Sequence, residues 1–451
     1  MYIRSLSAAV ALGSLSIAAQ AAEATGHGFI EDSKATLGLR NFYINTDYRD
    51  GTGPNKNEEW GQGFDLRFIS GYTQGTVGFG IDAIGLLGVK LDSGGGTNGA
   101  TATSFGGTVF PSDSNGEAVD EFSSLGLTAK AKISQTELKL GTLMPKNPVI
   151  VTNDSRLVTQ TWQGGQLSSS DITDLTLVGG QIEAVKGRNS TNDQQMSISG
   201  ANARGTKLRD SNKFYYAGGD YKITKDLLAQ YYYGNLEDFY KQHFLGLVHN
   251  WAIGPGVLKS DLRYFNSTDD GKNGHDPLYF STGDYNAPSG KGKVDNNLYS
   301  GLFLYTVAGH TFGGGYQVSN GSSDFPYLNQ GDGSSNNTIT DMQIQKFARA
   351  GEKTWQARYS FDFSKVGVPG LTAGMIYLQG SDIDTVSAKG TPAANNASEW
   401  ERDLTVAYVV QEGPLKNLGV TWRNAMWRTD LPNTRSQDEN RLIVSYSLPL
   451  F

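Results

Sequence analysis

Hydrophobic and polar positions alternate along most of this chain. In Thr76–Asp92 the odd positions are Val77, Phe79, Ile81, Ala83, Gly85, Leu87, Val89 and Leu91. The even positions include Gly78, Gly80, Asp82 and Lys90. A period of two places the apolar set on one face of a β-strand and the small and charged set on the other. Leu125–Ser134 repeats the pattern, with Leu125, Leu127, Ala129, Ala131 and Ile133 opposite Thr128, Lys130 and Lys132. So does Trp355–Phe363, with Trp355, Ala357, Tyr359, Phe361 and Phe363 opposite Gln356, Arg358, Ser360 and Asp362. Tyr299–Tyr305 is apolar on both faces and does not declare a side.

Alternation alone fits a soluble sandwich as well as a membrane barrel. The links between strands separate the two. Tight links are expected at Tyr72–Gly75, Ser134–Gln135, Asp171–Thr173, Ile223–Asp226, Gly254–Gly256, Ala308–Gly309, Lys365–Gly370 and Gln411–Leu415. Between them lie long polar links at 47–60, 92–120, 144–160, 188–212, 267–294, 319–351, 380–398 and 429–439. Short turns on one rim and long loops on the other are the habit of outer-membrane barrels. Strand parity then requires an inward strand at Thr161–Ser170 before the outward strand at Asp174–Lys186. The count becomes eighteen, an even number as antiparallel closure demands. The fold class predicted is all-β: an 18-stranded transmembrane antiparallel β-barrel.

Residues 1–21 read as a signal peptide. Arg4 provides the positive start, Ser5–Ala19 the short apolar stretch, and Ala19-Gln20-Ala21 the small-x-small cleavage pattern. Cleavage is expected after Ala21, with Ala24 the next option, leaving 22–451 as one barrel. No other apolar run approaches the roughly 18 residues of a membrane helix. The chain ends in an alternating strand closing on Phe451, the kind of terminus that outer-membrane assembly machinery reads.

Composition removes several alternatives. There are no Cys among the 451 residues, which excludes a disulfide scaffold and a cysteine nucleophile. The five His, at 27, 243, 249, 275 and 310, are scattered and match no metal or triad motif, so neither a metal, a cofactor nor an enzyme is expected. A net charge of −7 argues against nucleic acid as a partner. The 57 Gly suit the interior of a wide barrel.

Several stretches are similar to the OprD-like porins, the outer-membrane carboxylate channels. They are GFIEDSKATLGLRNFYINTDYR (28–49), EWGQGF (59–64), SGYTQGTVGFGIDAIGLLGVKLDSG (70–94) and DLRYFNSTDDG (261–271). GEKTWQARYSFDF (351–363), GVPGLT (367–372), QEGPLKNLGVTWRNA (411–425) and DENRLIVSYSLPLF (438–451) continue the likeness. The resemblance implies eighteen strands, loops folded inward to narrow the channel, and a row of arginines and lysines guiding a carboxylate.

Placing the apolar face against lipid puts candidate cations in the lumen: Arg40, Arg67, Lys130, Lys132, Arg263, Arg358, Arg423 and Arg441. Lys90, Lys139 and Lys259 share that face, as do Asp65, Asp82, Glu137 and Asp261. A lipid-facing Arg or Lys costs roughly 2–4 kcal/mol at the bilayer midplane, which fixes the assignment where the pattern is clean. Guanidinium forks replace the hydration a carboxylate loses in a narrow pore. The bland alternative is that these cations only pair with the lumen acids. The apolar stretch Val149-Ile150-Val151, with Pro145 and Pro148, suggests that 143–160 folds into the lumen, with Arg156 and Lys146 at the constriction. Acids at 47, 50, 58, 59, 113, 117, 120, 269, 270 and 276 suggest an acidic mouth above a basic throat.

The function expected is passive, selective diffusion of small carboxylates, aromatic or other monocarboxylic acids among them. Family members that take basic amino acids often carry Arg-x-Arg on the penultimate strand; here the residues are Thr421-Trp422-Arg423. A basic amino acid or peptide porin and a non-transporting structural barrel stay open. Expected partners are the solute, outer-membrane lipid with lipopolysaccharide, and the assembly machinery. A monomer and a weak trimer are both compatible with an apolar outer wall.

Overall fold

The computed structural model describes residues 28–51, 54–93, 107–198, 210–271, 293–328, 333, 335, 337–384, 394–432 and 434–451. The leader at 1–21 and the residues His27, His275 and Asp276 lie outside them. The strands are β1 (Lys34–Tyr48), β2 (Lys56–Ile69), β3 (Gly78–Asp92), β4 (Glu121–Ile133), β5 (Thr136–Leu143), β6 (Lys146–Asn147) and β7 (Ile150–Val151). Next come β8 (Thr161–Ile172), β9 (Leu175–Lys186), β10 (Phe214–Lys222), β11 (Leu227–Leu236), β12 (Tyr240–Ile253), β13 (Gly256–Asp269) and β14 (Asp295–Val307). The last are β15 (His310–Gly321), β16 (Lys353–Asp362), β17 (Leu371–Ile383), β18 (Ala397–Val409), β19 (Gly419–Thr429) and β20 (Gln437–Pro449).

Eighteen of these form one sheet, and β6 and β7 form a small separate hairpin. Each barrel strand pairs antiparallel with its neighbours, and β1 pairs with both β2 and β20, so the sheet has no edge. Closure matters physically because hydrocarbon offers no partner for an unpaired backbone group. The register confirms the period-two reading. On β4, Leu125 is 71% exposed on the outer wall while Lys130 is 5% exposed on the inner one. On β19, Val420 and Trp422 face out and Ala425 and Trp427 are buried inside. Tyr299–Tyr305 also resolves: Leu298 and Leu302 are buried in the lumen, whereas Tyr299 and Phe303 face out.

Two expectations about the links need correction. The outer link between β11 and β12 is only residues 237–239, so short and long links do not alternate throughout. Asp238 takes a left-handed conformation (φ 69°), and Phe239 is fully buried with its N–H donating to the Leu236 carbonyl at 2.9 Å. Asp tolerates that conformation, which lets three residues reverse the chain. The link 319–351 is also no outward loop. Its described residues from 337 to 350 fold into the barrel, where Phe347, Met342 and Ile344 pack on Ile376, Leu378 and Trp427 of the inner wall.

The inside of the barrel is partly a hydrophobic core. Val149, Ile150, Trp162, Phe214, Phe244 and Phe325 belong to its largest cluster. A smaller cluster joins Phe42, Ile84, Phe110, Phe122 and Leu157. Strand glycines make room for it: a Cβ on Gly63 would stand 2.7 Å from the Leu157 carbonyl oxygen. Gly63 therefore fixes how closely the inward loop approaches β2.

Candidate functional site: the constricted lumen

Among the described residues, two of the inward segments narrow the lumen beside the wall arginines. The first is 144–160, as the sequence suggested. Its β6–β7 hairpin carries Val149 across to β11, where a Cβ on Gly234 would meet Val149 at 3.1 Å. The second is 337–350. They meet at Asn337 and at Ser335 just before it: the Ser335 hydroxyl receives the Val151 N–H at 3.1 Å and donates to the Val151 carbonyl at 3.2 Å. The Asn337 amide donates to the Pro148 carbonyl at 3.1 Å. Apart from the short β6–β7 pairing, neither segment pairs with a barrel strand, so wall side chains satisfy part of its backbone.

The arginines of the wall are the first set of clamps. Arg40 forks onto Asp154 at 2.8 and 2.9 Å and also donates to the Arg156 carbonyl at 2.7 Å. Arg263 forks onto Asp261 at 2.8 and 2.9 Å and donates to the Asn337 carbonyl at 2.9 Å. Arg358 donates to Gln356 at 2.5 Å and to the Ile339 carbonyl at 2.6 Å. Arg441 donates to Glu439 at 2.6 Å and to the Gln343 carbonyl at 2.7 Å.

Carboxylates are the second set. Glu401 accepts the Ile344 and Gln345 N–H groups, each at 2.8 Å. Asp403 accepts the Gln343 N–H at 3.2 Å, and Glu439 accepts the Gln343 side-chain amide at 3.0 Å. Glu352 accepts the Arg349 N–H at 3.0 Å, and Arg349 stands 3.6 Å from Glu399. Within the loop, burial pushes the Asp341 carboxyl up to about 6. Burial, reinforced by the Glu399 charge, also holds the Glu352 carboxyl well above the usual range. Glu59 does similar work for a third segment, accepting the N–H groups of Thr108, Val109 and Phe110.

Each predicted cation has a definite place. Arg67 forks onto Asp65 at 2.6 and 2.9 Å. Lys130 is buried, 2.6 Å from Asp82, and donates to the Ser70 carbonyl at 2.8 Å. Lys132 stands 5.8 Å from the Tyr72 ring centre. Arg156 donates to the Ser155 carbonyl at 3.2 Å within the inward loop, and Lys146 is exposed on the β6 hairpin. Arg423 lies directly opposite Arg441 across the β19–β20 pair. Its Nε is buried and has no hydrogen-bond partner.

The result is a split among the cations. Arg40, Arg67, Lys130, Arg263 and Arg441 sit on carboxylates. Among the described residues, Arg358, Arg423, Lys132 and Lys259 have no carboxylate within ion-pair distance. The acidic mouth also needs correction. Glu59 is fully buried in the lumen as a clamp, so it adds no charge to the surface. The throat is mixed rather than simply basic, because Glu399, Glu401, Asp403 and Glu439 line it in buried positions. Those residues were missed by the sequence reading. Their signal was the alternation of Glu399, Glu401 and Asp403 with Trp400, Arg402 and Leu404 on β18.

A family profile described as outer membrane porin, OprD family, matches residues 27–450. The porin-like protein GalP of Pseudomonas putida is 37% identical over 430 residues, which cover 95% of each chain. The crystal structure of OccK8 (OprE) from Pseudomonas aeruginosa superposes with a TM-score of 0.83 at 58% identity, covering 94% of this chain and all of that one. The structure of OpdK with vanillate, from Pseudomonas aeruginosa, gives a TM-score of 0.80 at 35% identity over 94% of this chain and all of the other.

Proposed function

Since the chain belongs to the OprD family of outer membrane porins, a channel of the bacterial outer membrane and not an enzyme, we propose that its solutes are small carboxylates, with aromatic monocarboxylates foremost. The observation that carries this reading is the set of lumen cations left without an acid. Arg358 spends its donors on a neutral amide and a carbonyl, and the Arg423 Nε has no acceptor. A buried guanidinium with an unused donor is costly, and a passing carboxylate relieves that cost with charge-assisted hydrogen bonds. Several sites of moderate strength let an anion move on, where one tight site would hold it.

The paired cations join this row in a weaker sense. Arg40, Arg67 and Arg263 are partly open to the lumen, while Lys132 stands at the inner end. Arg441, at 3% side-chain exposure, and Lys130, at the same figure, act through their fields. Arg156 borders the constriction through the loop that Arg40 clamps. Vanillate, bound in OpdK, is an aromatic monocarboxylate, and that chemistry suits these free guanidinium groups. Basic amino acids suit them less. The acids that would greet an ammonium group, Glu399, Glu401 and Asp403, are occupied by loop N–H groups or buried beneath them.

The test is uptake of a carboxylate panel by liposomes carrying the porin. Benzoate-type acids are expected to enter faster than arginine or neutral solutes of equal size. Charge reversal at Arg423→Glu is expected to cut carboxylate flux about tenfold or more and to move selectivity toward cations. Equal uptake of acids and uncharged analogues by the native protein would overturn the proposal.

A further inference from the structure

The outer wall carries a charge that the transport function does not use. Arg402 lies on β18 between Glu401 and Asp403, but it points to the opposite face, shared with Trp400, Leu404 and Val406. Its register partners are Tyr377 on β17 and Met426 on β19, both on the outward face. Among the described residues it has no hydrogen bond and no ion pair. Glu401 and Asp403 are unavailable to it, because they face the lumen beneath the inward loop. Asp438, the acid on the outward face of β20, is taken by Arg428 at 2.6 Å and by Arg49.

The height of Arg402 in the wall is set by its neighbours. Toward the inner rim follow Leu404, Val406 and Tyr408, the apolar stretch of this strand. Toward the outer rim is an aromatic row. Trp355 and Tyr377 have ring centres 5.4 Å apart, and Tyr377 stacks on Trp400 at 5.8 Å. Arg428 lies over Trp400, 5.9 Å from its ring centre. Aromatic girdles of this kind mark the membrane–water boundary of a barrel. Arg402 therefore stands where hydrocarbon gives way to headgroups, one residue pair inside the girdle. An unpaired guanidinium there needs an anion, and the bilayer supplies one: phosphate.

We propose that Arg402 and Arg428, framed by Trp400 and Tyr377, bind the phosphate of an outer-leaflet glycolipid, the phosphorylated glucosamine headgroup of lipid A. Arg402 supplies a free fork. Arg428 supplies the remainder of its donors, while Asp438 and the Trp427 and Gln437 carbonyls hold it in place. The sugar rests against the Trp400 face, and acyl chains lie over Met426, Leu404 and Met375. The outer leaflet is the favoured source because the site opens at the rim that carries the longer loops.

Native mass spectrometry of the purified porin, after reconstitution in phosphatidylcholine vesicles with added lipid A, reads the site directly. The native protein is expected to retain lipid A and to unfold at a higher temperature in its presence. Arg402→Gln is expected to weaken retention about tenfold, and Arg402→Gln with Arg428→Gln to abolish it. Single-channel conductance in the same preparations checks that both variants are folded and inserted, since neither residue faces the pore. Lys416→Gln, in an inner-rim turn, is expected to retain lipid A as the native chain does. Equal retention of dephosphorylated lipid A would overturn the proposal, as would native-like retention by the double variant. Preference for phosphatidylglycerol would overturn the glycolipid assignment, and full protection by inorganic phosphate alone would reduce the site to a small-anion site.

Discussion

Removing the Glu401 carboxylate should unlatch the second inward loop. Glu401 accepts two adjacent backbone N–H groups, Ile344 and Gln345, at 2.8 Å each. Removing an acceptor so that a buried N–H goes unsatisfied costs about 1–3 kcal/mol. Losing both acceptors costs about 2–6 kcal/mol, and pore water entering the gap restores part of it. Removal also relieves the burial of a carboxyl beside Asp403, a further offset. A net weakening of about 2–3 kcal/mol is expected for Glu401→Ala, or about 30- to 150-fold in the opening equilibrium at 1.36 kcal/mol per tenfold. Hydrogen–deuterium exchange of the 341–350 segment in micelles measures it, and single-channel conductance should rise in the same variant. Glu401→Gln keeps one acceptor oxygen and removes the charge, so its exchange should accelerate less than tenfold. If Glu401→Ala exchanges at the native rate and conducts as the native channel does, Glu401 does not hold the loop and the latch is wrong.

Four further outcomes are expected. The Asp341 carboxyl, pushed up to about 6 by burial, favours the docked loop when protonated. Its contribution is complete below the ordinary carboxylate pKa near 4 and is lost as pH rises through about 6. The protection factors of 341–350, intrinsic rates divided by the exchange rates at each pH, should thus be higher at pH 4 than at pH 7.5, and Asp341→Asn should flatten that profile. Deleting 147–156 should raise conductance, because this stretch packs inside the barrel; an unchanged conductance would place it outside. Gly63→Val should push the first inward loop off β2, since a Cβ there stands 2.7 Å from the Leu157 carbonyl. A lower unfolding temperature of the folded band on a gel checks it. The intact mass of the exported protein should place its N-terminus at Ala22, the residue after the Ala19-Gln20-Ala21 pattern.

Strand alternation, the even strand number and the lumen position of the cations were legible in the sequence. All three follow from local rules. A period of two assigns each residue a face as soon as one side is greasy, and the inner face of Arg423 was fixed once Val420 and Trp422 were assigned to lipid. The strand at Thr161–Ser170 has weak alternation, yet parity alone required it, and β8 runs from Thr161 to Ile172. The inward fold of 144–160 was also readable, because Val149 and Ile150 have no place on a solvated loop.

What the sequence by itself did not decide was partnership. Arg358 and Arg263 look alike as lumen arginines, but Arg263 has Asp261 two residues away and Arg358 has a glutamine. The inward course of 337–350 was hidden because its apolar residues, Ile339, Met342, Ile344 and Phe347, are interspersed with polar ones and its anchors are remote in the chain: Glu401, Asp403, Glu439 and Arg441 come from strands 50 to 100 residues later. Hydrogen bonds between a loop backbone and a distant wall leave no periodic trace. Local chemistry therefore determined the barrel and which face each charge takes. Only the closed barrel, by bringing β18 and β20 beside a loop that follows β15, decided which charges clamp loops and which remain free for a solute.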